Sequence, residues 1–478
     1  MAFRNKQRMN KAIMIMILLL LSKLVYGQEE AVEKPEPPAF KMFRAEENYS
    51  YLRDKETNLF ETDYFDVIKF ISLDKNKNVN LSLGGEIRIR LEYFNNRKWT
   101  EEDEFFYSQR LNLHANFNLG KYVRIFGELY HGLVSSEEEV TQSDQLDVHQ
   151  GFIALRIPIH DTHNLDIRFG RQEMALGSAR LLGLREGPNI RRTYDMGRVI
   201  YTQKSTKLEV FYGKEVKPEF GVFDNDFSLF NSSSMNPELW GLYSQFKIKK
   251  DIGNIELYYL GFRTPTSFYN DATGKDKRHT VGLRRFGKIG KSWRYNTEII
   301  AQFGETGSKN VTAWAFETDW HYMFYKMKLQ PELGLKLDVM SGDKENGDDQ
   351  IQTFNPMFTN PAYFSLAATI APVNLIEYHP SVSLKPTEKI KIYIEWASFY
   401  RFSKNDGVYS PPRFLAREGQ TTDERFIGHQ FGLKYEFEID RHLSFDLDLS
   451  YFIAGDFLKN SGQAENIFHL APTLSYKF

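Results

Sequence analysis

The sequence predicts an all-β transmembrane barrel of about eighteen antiparallel strands. Three observations carry that prediction. A two-residue alternation of apolar and polar side chains runs from Val79 to the C-terminus. Aromatic residues make up 15% of the 478 residues although mean hydropathy is only -0.48, a combination unusual for a soluble enzyme. After the first 27 residues no run of about 18 apolar residues occurs, which excludes a helical membrane protein.

The N-terminus reads as a targeting segment. Arg4, Lys6, Arg8 and Lys11 form a basic region, Ala12 to Leu21 form an apolar stretch, and Val25 and Gly27 occupy the positions a signal peptidase reads. Residues 1–27 are therefore expected to be a signal peptide. They carry five Lys/Arg and no acids, so the mature chain would hold 56 basic against 63 acidic side chains, a net charge of -7. Nothing in that balance points to nucleic acid. With no Cys, the chain has no disulfides, thiolate metal sites, Cys nucleophile or lipoprotein anchor. Residues 28–78 are polar, with Pro35, Pro37 and Pro38, and are expected to be a periplasmic lead-in, too short for the plug of an active-transport receptor.

Residues 79–478 are expected to form the barrel. Val79, Leu81, Leu83, Ile87, Ile89, Leu91 and Tyr93 share one face of the first strand, and Asn80, Ser82, Glu86, Arg88, Arg90 and Glu92 the other. Equally regular runs follow at Leu111–Leu119, Trp293–Phe303, Ile390–Trp396 and Leu443–Tyr451. Runs begin near residues 79, 105, 122, 144, 164, 197, 206, 236, 254, 278, 291, 310, 328, 373, 389, 426, 441 and 466. That makes eighteen strands, with sixteen as the alternative because 144–217 parses least cleanly. Short turns such as Gly120-Lys121 alternate with long polar stretches at 95–104, 135–143, 217–236, 341–372 and 403–425, as in barrels with short periplasmic turns and long extracellular loops. The strands are too long for a soluble sandwich. The last one, Leu470 to Phe478, ends in Phe and resembles the C-terminal signal of outer-membrane barrels, so the assembly machinery is expected to read Phe478. A bacterial outer-membrane location and a monomer are expected, with Trp314, Trp320, Trp396 and Tyr476 as outward girdle residues.

By parity the lumen receives Arg88, Arg90, Arg110, Arg124, Arg168, Arg284, Arg294, Lys336 and Lys391. It also receives Glu86, Glu128, Asp166, Glu298, Glu317, Asp319, Glu332, Asp338, Glu395, Asp446 and Asp448. Basic residues crowd the first six strands and acids the last few. A basic ladder on one wall offers a path for a polyanion.

One segment departs from the strand-and-turn pattern. Arg168-Phe169-Gly170-Arg171-Gln172-Glu173 leads to Gly177-Ser178-Ala179-Arg180-Leu181, then Arg185-Glu186-Gly187-Pro188-Asn189-Ile190-Arg191-Arg192 and Tyr194-Asp195. This resembles the signature of the bacterial outer-membrane alginate-export family: its R-x-G-R-Q strand, a loop with R-E-G-P-N, and an aromatic–Asp pair. Ser341-Gly342-Asp343 and Phe354-Asn355-Pro356-Met357-Phe358 are similar to a second segment of that family. The resemblance implies an eighteen-stranded barrel passing a polyuronate through an arginine-lined constriction closed by loops. It makes Arg168, Arg171, Arg180, Arg185, Arg191 and Arg192 the constriction candidates. Arg88, Arg110 and Arg284 join them on inward parity alone. The expected partner is an anionic polysaccharide or oligosaccharide such as alginate, together with outer-membrane lipid, and no cofactor is expected.

Other features are weaker. His442 and Ser444 share the His-x-Ser spacing of an outer-membrane phospholipase, which keeps a barrel enzyme as an alternative beside a structural or adhesive barrel with an occluded lumen. The acidic run Asp343-Lys344-Glu345-Asn346-Gly347-Asp348-Asp349 offers oxygen ligands of the kind Ca²⁺ takes, but reads first as a solvated loop. His131, His149, His279 and His321 show no metal-ligand spacing.

Overall fold

A computed structural model describes residues 35–478 apart from 55–57, 136–140, 161, 232–234, 249–252, 361 and 363–366. The expected signal peptide, 1–27, lies outside the described residues.

Eighteen strands form the barrel wall. They are β1 Val79–Asn95, β2 Glu104–Leu119, β3 Val123–Val134, β4 Asp144–His160, β5 His163–Gln172 and β6 Tyr194–Gln203. Then come β7 Thr206–Glu215, β8 Glu238–Lys247, β9 Asn254–Phe268, β10 Thr273–Ile289, β11 Trp293–Thr306 and β12 Lys309–Met323. The circuit ends with β13 Glu332–Met340, β14 Leu375–Thr387, β15 Ile390–Arg401, β16 Phe426–Glu438, β17 Leu443–Ala454 and β18 Ile467–Lys477. Each pairs antiparallel with the next. β18 returns to β1 from Glu86↔Lys477 to Asn95↔Phe468, which closes the sheet. Closure removes the unpaired edges of an open sheet. Among the described residues no helix is long and apolar enough to cross a membrane.

The alternation gives the wall two unlike faces. Ile87, Leu113, Ile125, Ile153, Ile299, Leu335, Ile394 and Phe431 are exposed, whereas Arg88, Arg110, Arg124, Glu298, Glu317, Asp338 and Glu395 are buried. A water-soluble fold would invert that choice. With lipid outside and a polar interior, each face meets its own solvent. Trp314, Trp320 and Trp396 are exposed outside, and Trp293, Tyr322, Trp320 and Tyr295 form an outer aromatic group with ring centroids 4.8 Å (Trp293–Tyr322) and 5.3 Å (Tyr295–Trp320) apart.

The connections sort by length. Those at one end, such as 120–122, 204–205, 290–292 and 388–389, are short. Those at the other include 96–103, 135–143, 173–193, 216–237, 341–374, 402–425 and 455–466, beside two tight hairpins at 269–272 and 307–308. The part that parsed least cleanly resolves into β4–β7 with a 21-residue excursion, 173–193, between β5 and β6.

The lead-in is seated against the short-turn end. Ile71–Ser72 pairs with β1 at Ile71↔Leu81 and Ser72↔Asn80. Arg44 donates to the carbonyls of Gly85 (2.9 Å) and Phe478 (2.8 Å), and Lys69 Nζ to that of Leu83 (2.9 Å). These cations occupy the seam where the first and last strands meet.

Candidate functional site

Loops ordinarily run over a surface, because buried backbone needs partners. The 173–193 connection does the opposite. Glu173, Met174, Leu176, Arg180, Leu181, Leu182, Leu184, Asn189, Ile190, Arg191 and Arg192 are all buried. The barrel interior is the place that supplies enough carboxylates for its arginines and enough cover for its leucines.

On one side the loop is fixed to the first strands. Arg110 Nη2 donates to Glu86 Oε1 and to Glu186 Oε1, both at 2.6 Å. Arg88 reaches the Glu186 carbonyl (2.9 Å) and the Pro188 carbonyl (3.2 Å). Arg191 pairs with Glu186 and stands 3.7 Å from Glu86 and from Glu173. Asn189 fastens the turn: its Nδ2 donates to the carbonyls of Gln109 (2.8 Å) and Gln142 (2.9 Å), and its own carbonyl accepts from Tyr130.

On the other side the loop reaches the acidic wall. Arg180 Nε lies 2.6 Å from Glu317 Oε2, with Glu298 at 3.5 Å and Asp338 at 3.8 Å, and Ser178 donates to Glu298 at 3.0 Å. Those carboxylates stand on β11, β12 and β13. Gly177 makes the approach possible. It takes φ +60°, and a Cβ there would stand 2.7 Å from the Tyr243 hydroxyl. One loop therefore bridges the interior from β1–β2 to β11–β13.

A second loop meets it. Leu182 bridges to Phe358, Gly183 N donates to the Phe358 carbonyl (3.0 Å), and Phe358 N donates to the Leu181 carbonyl (2.9 Å). Gln302 and Arg278 hold this 341–374 loop through the carbonyls of Asn355 (2.7 Å) and Thr353 (2.6 Å). Both motif segments singled out in the sequence thus come together within the lumen.

The nine candidate arginines divide. Arg88, Arg110, Arg180 and Arg191 belong to the bridging network just described. Arg192 pairs with Glu215 (2.8 Å) and donates to the carbonyls of Gly183 (3.2 Å) and Phe358 (2.5 Å), at the junction of the two loops. Arg185, at φ +60°, turns back onto the Ile190 carbonyl (3.3 Å). Arg284 pairs with Glu256 (2.6 Å) on the β9–β10 wall. Arg168 sits nearer the short-turn mouth, held by Asp166 (2.8 Å) and by Glu46 of the lead-in (2.5 Å).

Arg171 departs from the constriction expectation. It shares the outward parity of Ile167 and Phe169, and pairs with Asp195 (2.8 Å) under the 216–237 connection, whose Asn225 and Asp226 carbonyls it also binds. Residues 168 and 171 are three apart on one strand, so a period of two sends them to opposite faces. The shared motif hid that parity.

The family model described as alginate export matches residues 79–469. The chain belongs to the alginate-export family. It is a channel-type barrel of the bacterial outer membrane. No curated protein matches the sequence significantly. Among solved structures it is similar to the outer membrane protein opdK from Pseudomonas aeruginosa, at TM-score 0.52 and 11% identity over 83% of this chain and 99% of that one. A BenF-like porin from Pseudomonas fluorescens Pf-5 gives 0.52 and 11% over 83% and 98%, and Pseudomonas aeruginosa OccK8 (OprE) 0.52 and 13% over 83% and 98%. These likenesses concern the fold.

Within this alginate-export barrel, sequence reasoning passed over two features. Glu186 was read as motif context, yet it is the carboxylate around which Arg88, Arg110 and Arg191 assemble. The lead-in is expected only as a polar periplasmic approach, yet its Ala45, Glu46 and Met42 touch Arg124, Arg168 and Arg191. The excess of arginines over acids between residues 168 and 195, six against three, was the available signal for outside partners.

Proposed function

We propose that this barrel passes an anionic polysaccharide or oligosaccharide such as alginate through the constriction built by the 173–193 loop. The observation that carries this reading is the arginine trio around Glu186. Of the carboxylates contacting that trio, Glu186 is 35% exposed, against 3% for Glu86 and 1% for Glu173. A uronate carboxylate that displaces Glu186 replaces one ion pair with another, so no guanidinium is left bare at any stage. Successive sugar carboxylates are then handed along Arg88, Arg110 and Arg191. In this reading the short turns face the periplasm and the long loops the exterior, the barrel works as a monomer, and Phe478 serves the assembly machinery.

Planar-bilayer recording tests the proposal. Anion preference is expected, with block by oligouronates. Glu186→Gln is expected to strengthen both. Cation preference in the unaltered protein, without oligouronate block, removes the arginine path.

A specific observation favours a second reading, a barrel whose lumen stays occluded. The Leu182–Phe358 junction buries apolar side chains between the two inward loops. Absence of conductance under every ionic condition supports this reading over the first. We read the barrel as non-enzymatic: both ring nitrogens of His442 are engaged, Nδ1 with the Lys477 carbonyl (2.6 Å) and Nε2 with Asp63 (2.7 Å), leaving neither to activate Ser444.

A further inference from the structure

Beside the arginine trio, Glu128, His149 and Glu173 each offer one ligand atom, all within 4.8 Å of one another, and all three residues are buried. Three elements supply them. Glu128 is on β3, His149 on β4, and Glu173 opens the lumen loop directly after β5.

The placement of His149 is unusual. β3 and β4 pair Glu128 with Gln150 and then Leu129 with Val148, so His149 is the extra residue of a β-bulge. The bulge turns His149 and Gln150 both inward, while Val148 is 37% exposed outside. A bulge of this kind re-aims a side chain at the expense of local pairing. His149 Nε2 then stands 3.0 Å from Glu173 Oε1.

Glu128 is the second, independent sign. Its Oε1 accepts from Asn112 Nδ2 at 3.3 Å, but its Oε2, though buried, has no hydrogen-bond partner. A buried carboxylate oxygen left so is costly unless a cation or proton meets it. The neighbourhood is short of positive charge. Glu86, Glu128, Glu173 and Glu186 face Arg88, Arg110 and Arg191, of which Arg191 is already turned to Glu186, while Arg44, a further cation near Glu128, is held by Glu47 at 2.8 Å.

We propose that Glu128, His149 and Glu173 bind a divalent transition-metal ion of the zinc or manganese type. One imidazole and two carboxylates form a donor set suited to such ions. Adjacent ligands of an ion with bonds of about 2.1 Å stand roughly 3 Å apart, matching the His149–Glu173 separation. An ion reaches the site from the short-turn mouth, because Gln150, Gln172 and Glu173 line a cavity of about 700 Å³ there, together with Phe43, Arg168 and Arg198. Bound, it fastens the first residue of the lumen loop to two wall strands. The ion is therefore a structural pin at the root of the constriction.

The test uses the full mature chain in detergent, stripped with a chelator and titrated with Mn²⁺ followed by electron paramagnetic resonance, and separately with Zn²⁺ by calorimetry. One saturable equivalent per chain is expected, with a rise of several degrees in the temperature at which the barrel loses its heat-modifiable gel mobility. Glu128→Gln and His149→Gln, checked for folding by that same mobility, are each expected to weaken binding at least tenfold. Failure of the unaltered protein to bind a saturable equivalent overturns the proposal and leaves a proton shared by Glu128 and Glu173 in its place. So does an equivalent that persists in both folded variants, which assigns it to surface groups such as the 343–349 run. Bilayer conductance is read in parallel, so failure of the metal site and failure of the channel reading are told apart.

Discussion

Two long connections leave the same end of the barrel and do opposite things. The 173–193 loop turns inward and buries its arginines against wall carboxylates. The 216–237 loop folds over the outer wall, where Phe223, Phe227 and Phe230 are exposed and Phe230 stacks on Phe169 at 5.9 Å. Their chemistry explains the difference. Arg180, Arg191 and Arg192 meet the wall carboxylates Glu317, Glu86 and Glu215 inside the barrel, and phenylalanines tolerate a lipid-side surface that guanidinium groups do not. Arg171 marks the border: it lies on the outer face but is shielded from lipid by Asp195 and by the carbonyls of the outer loop. Position along the barrel does not set the fate of a loop here; the supply of counter-charge does.

The contrast can be broken most forcefully at Arg180. Arg180→Ala leaves Glu298, Glu317 and Asp338 without the guanidinium that faces them. A loss of about 3–5 kcal/mol is expected from such an uncompensated buried group. The loop also loses its far anchor, so conductance should rise several-fold, and single-channel recording together with denaturant unfolding would show both. Unchanged conductance would remove the bridge from the pathway.

Arg171→Ala sharpens the comparison from the outer side. Asp195 is then left buried without its guanidinium, and a stability loss of about 3 kcal/mol is expected. Anion selectivity should stay at the unaltered value, whereas Arg168→Ala should lower it. Equal selectivity losses in the two variants would contradict the face assignment.

The mouth adds a smaller, pH-dependent effect. Burial by itself raises the Glu46 carboxyl, but Arg168, with Arg124 and Arg198, outweighs it and brings the pKa from 4.5 down to about 2. A carboxyl depressed on folding stabilises fully above its unfolded value and loses that contribution as pH falls through its folded one. The lead-in should therefore stay seated above about pH 4.5 and loosen as pH falls toward 2, and limited digestion with an acid-active protease would follow it. Glu46→Gln should abolish that pH dependence.

The smallest expected change is on the outer loop. Phe227→Ala combined with Phe230→Ala should cost no more than about 1–2 kcal/mol, because both rings are already exposed in part. Conductance and selectivity should not move. A shift in either would mean that the outer loop gates the pore.

The strand plan was legible residue by residue. Runs expected near 79, 144, 206, 254 and 426 begin at Val79, Asp144, Thr206, Asn254 and Phe426, while those expected at 278 and 328 begin at Thr273 and Glu332. A period of two needs only neighbouring residues, so one chain suffices to read it. The inward loop was half legible: the motif marked it, but placed Arg171 beside Arg168 when their spacing already separates them.

By itself the chain's order of residues determined the barrel, which face meets lipid, and where unusual loops interrupt the wall, and it left the strand count between eighteen and sixteen. These follow from local alternation and from the positions of turn residues. Only the tertiary structure decided that one loop enters the lumen and another covers the outside, that Glu186 gathers three arginines, and that Glu128, His149 and Glu173 converge. Those outcomes depend on strand register, on a single bulge, and on side chains as far apart in sequence as Arg180 and Asp338 finding opposite charge inside a closed sheet.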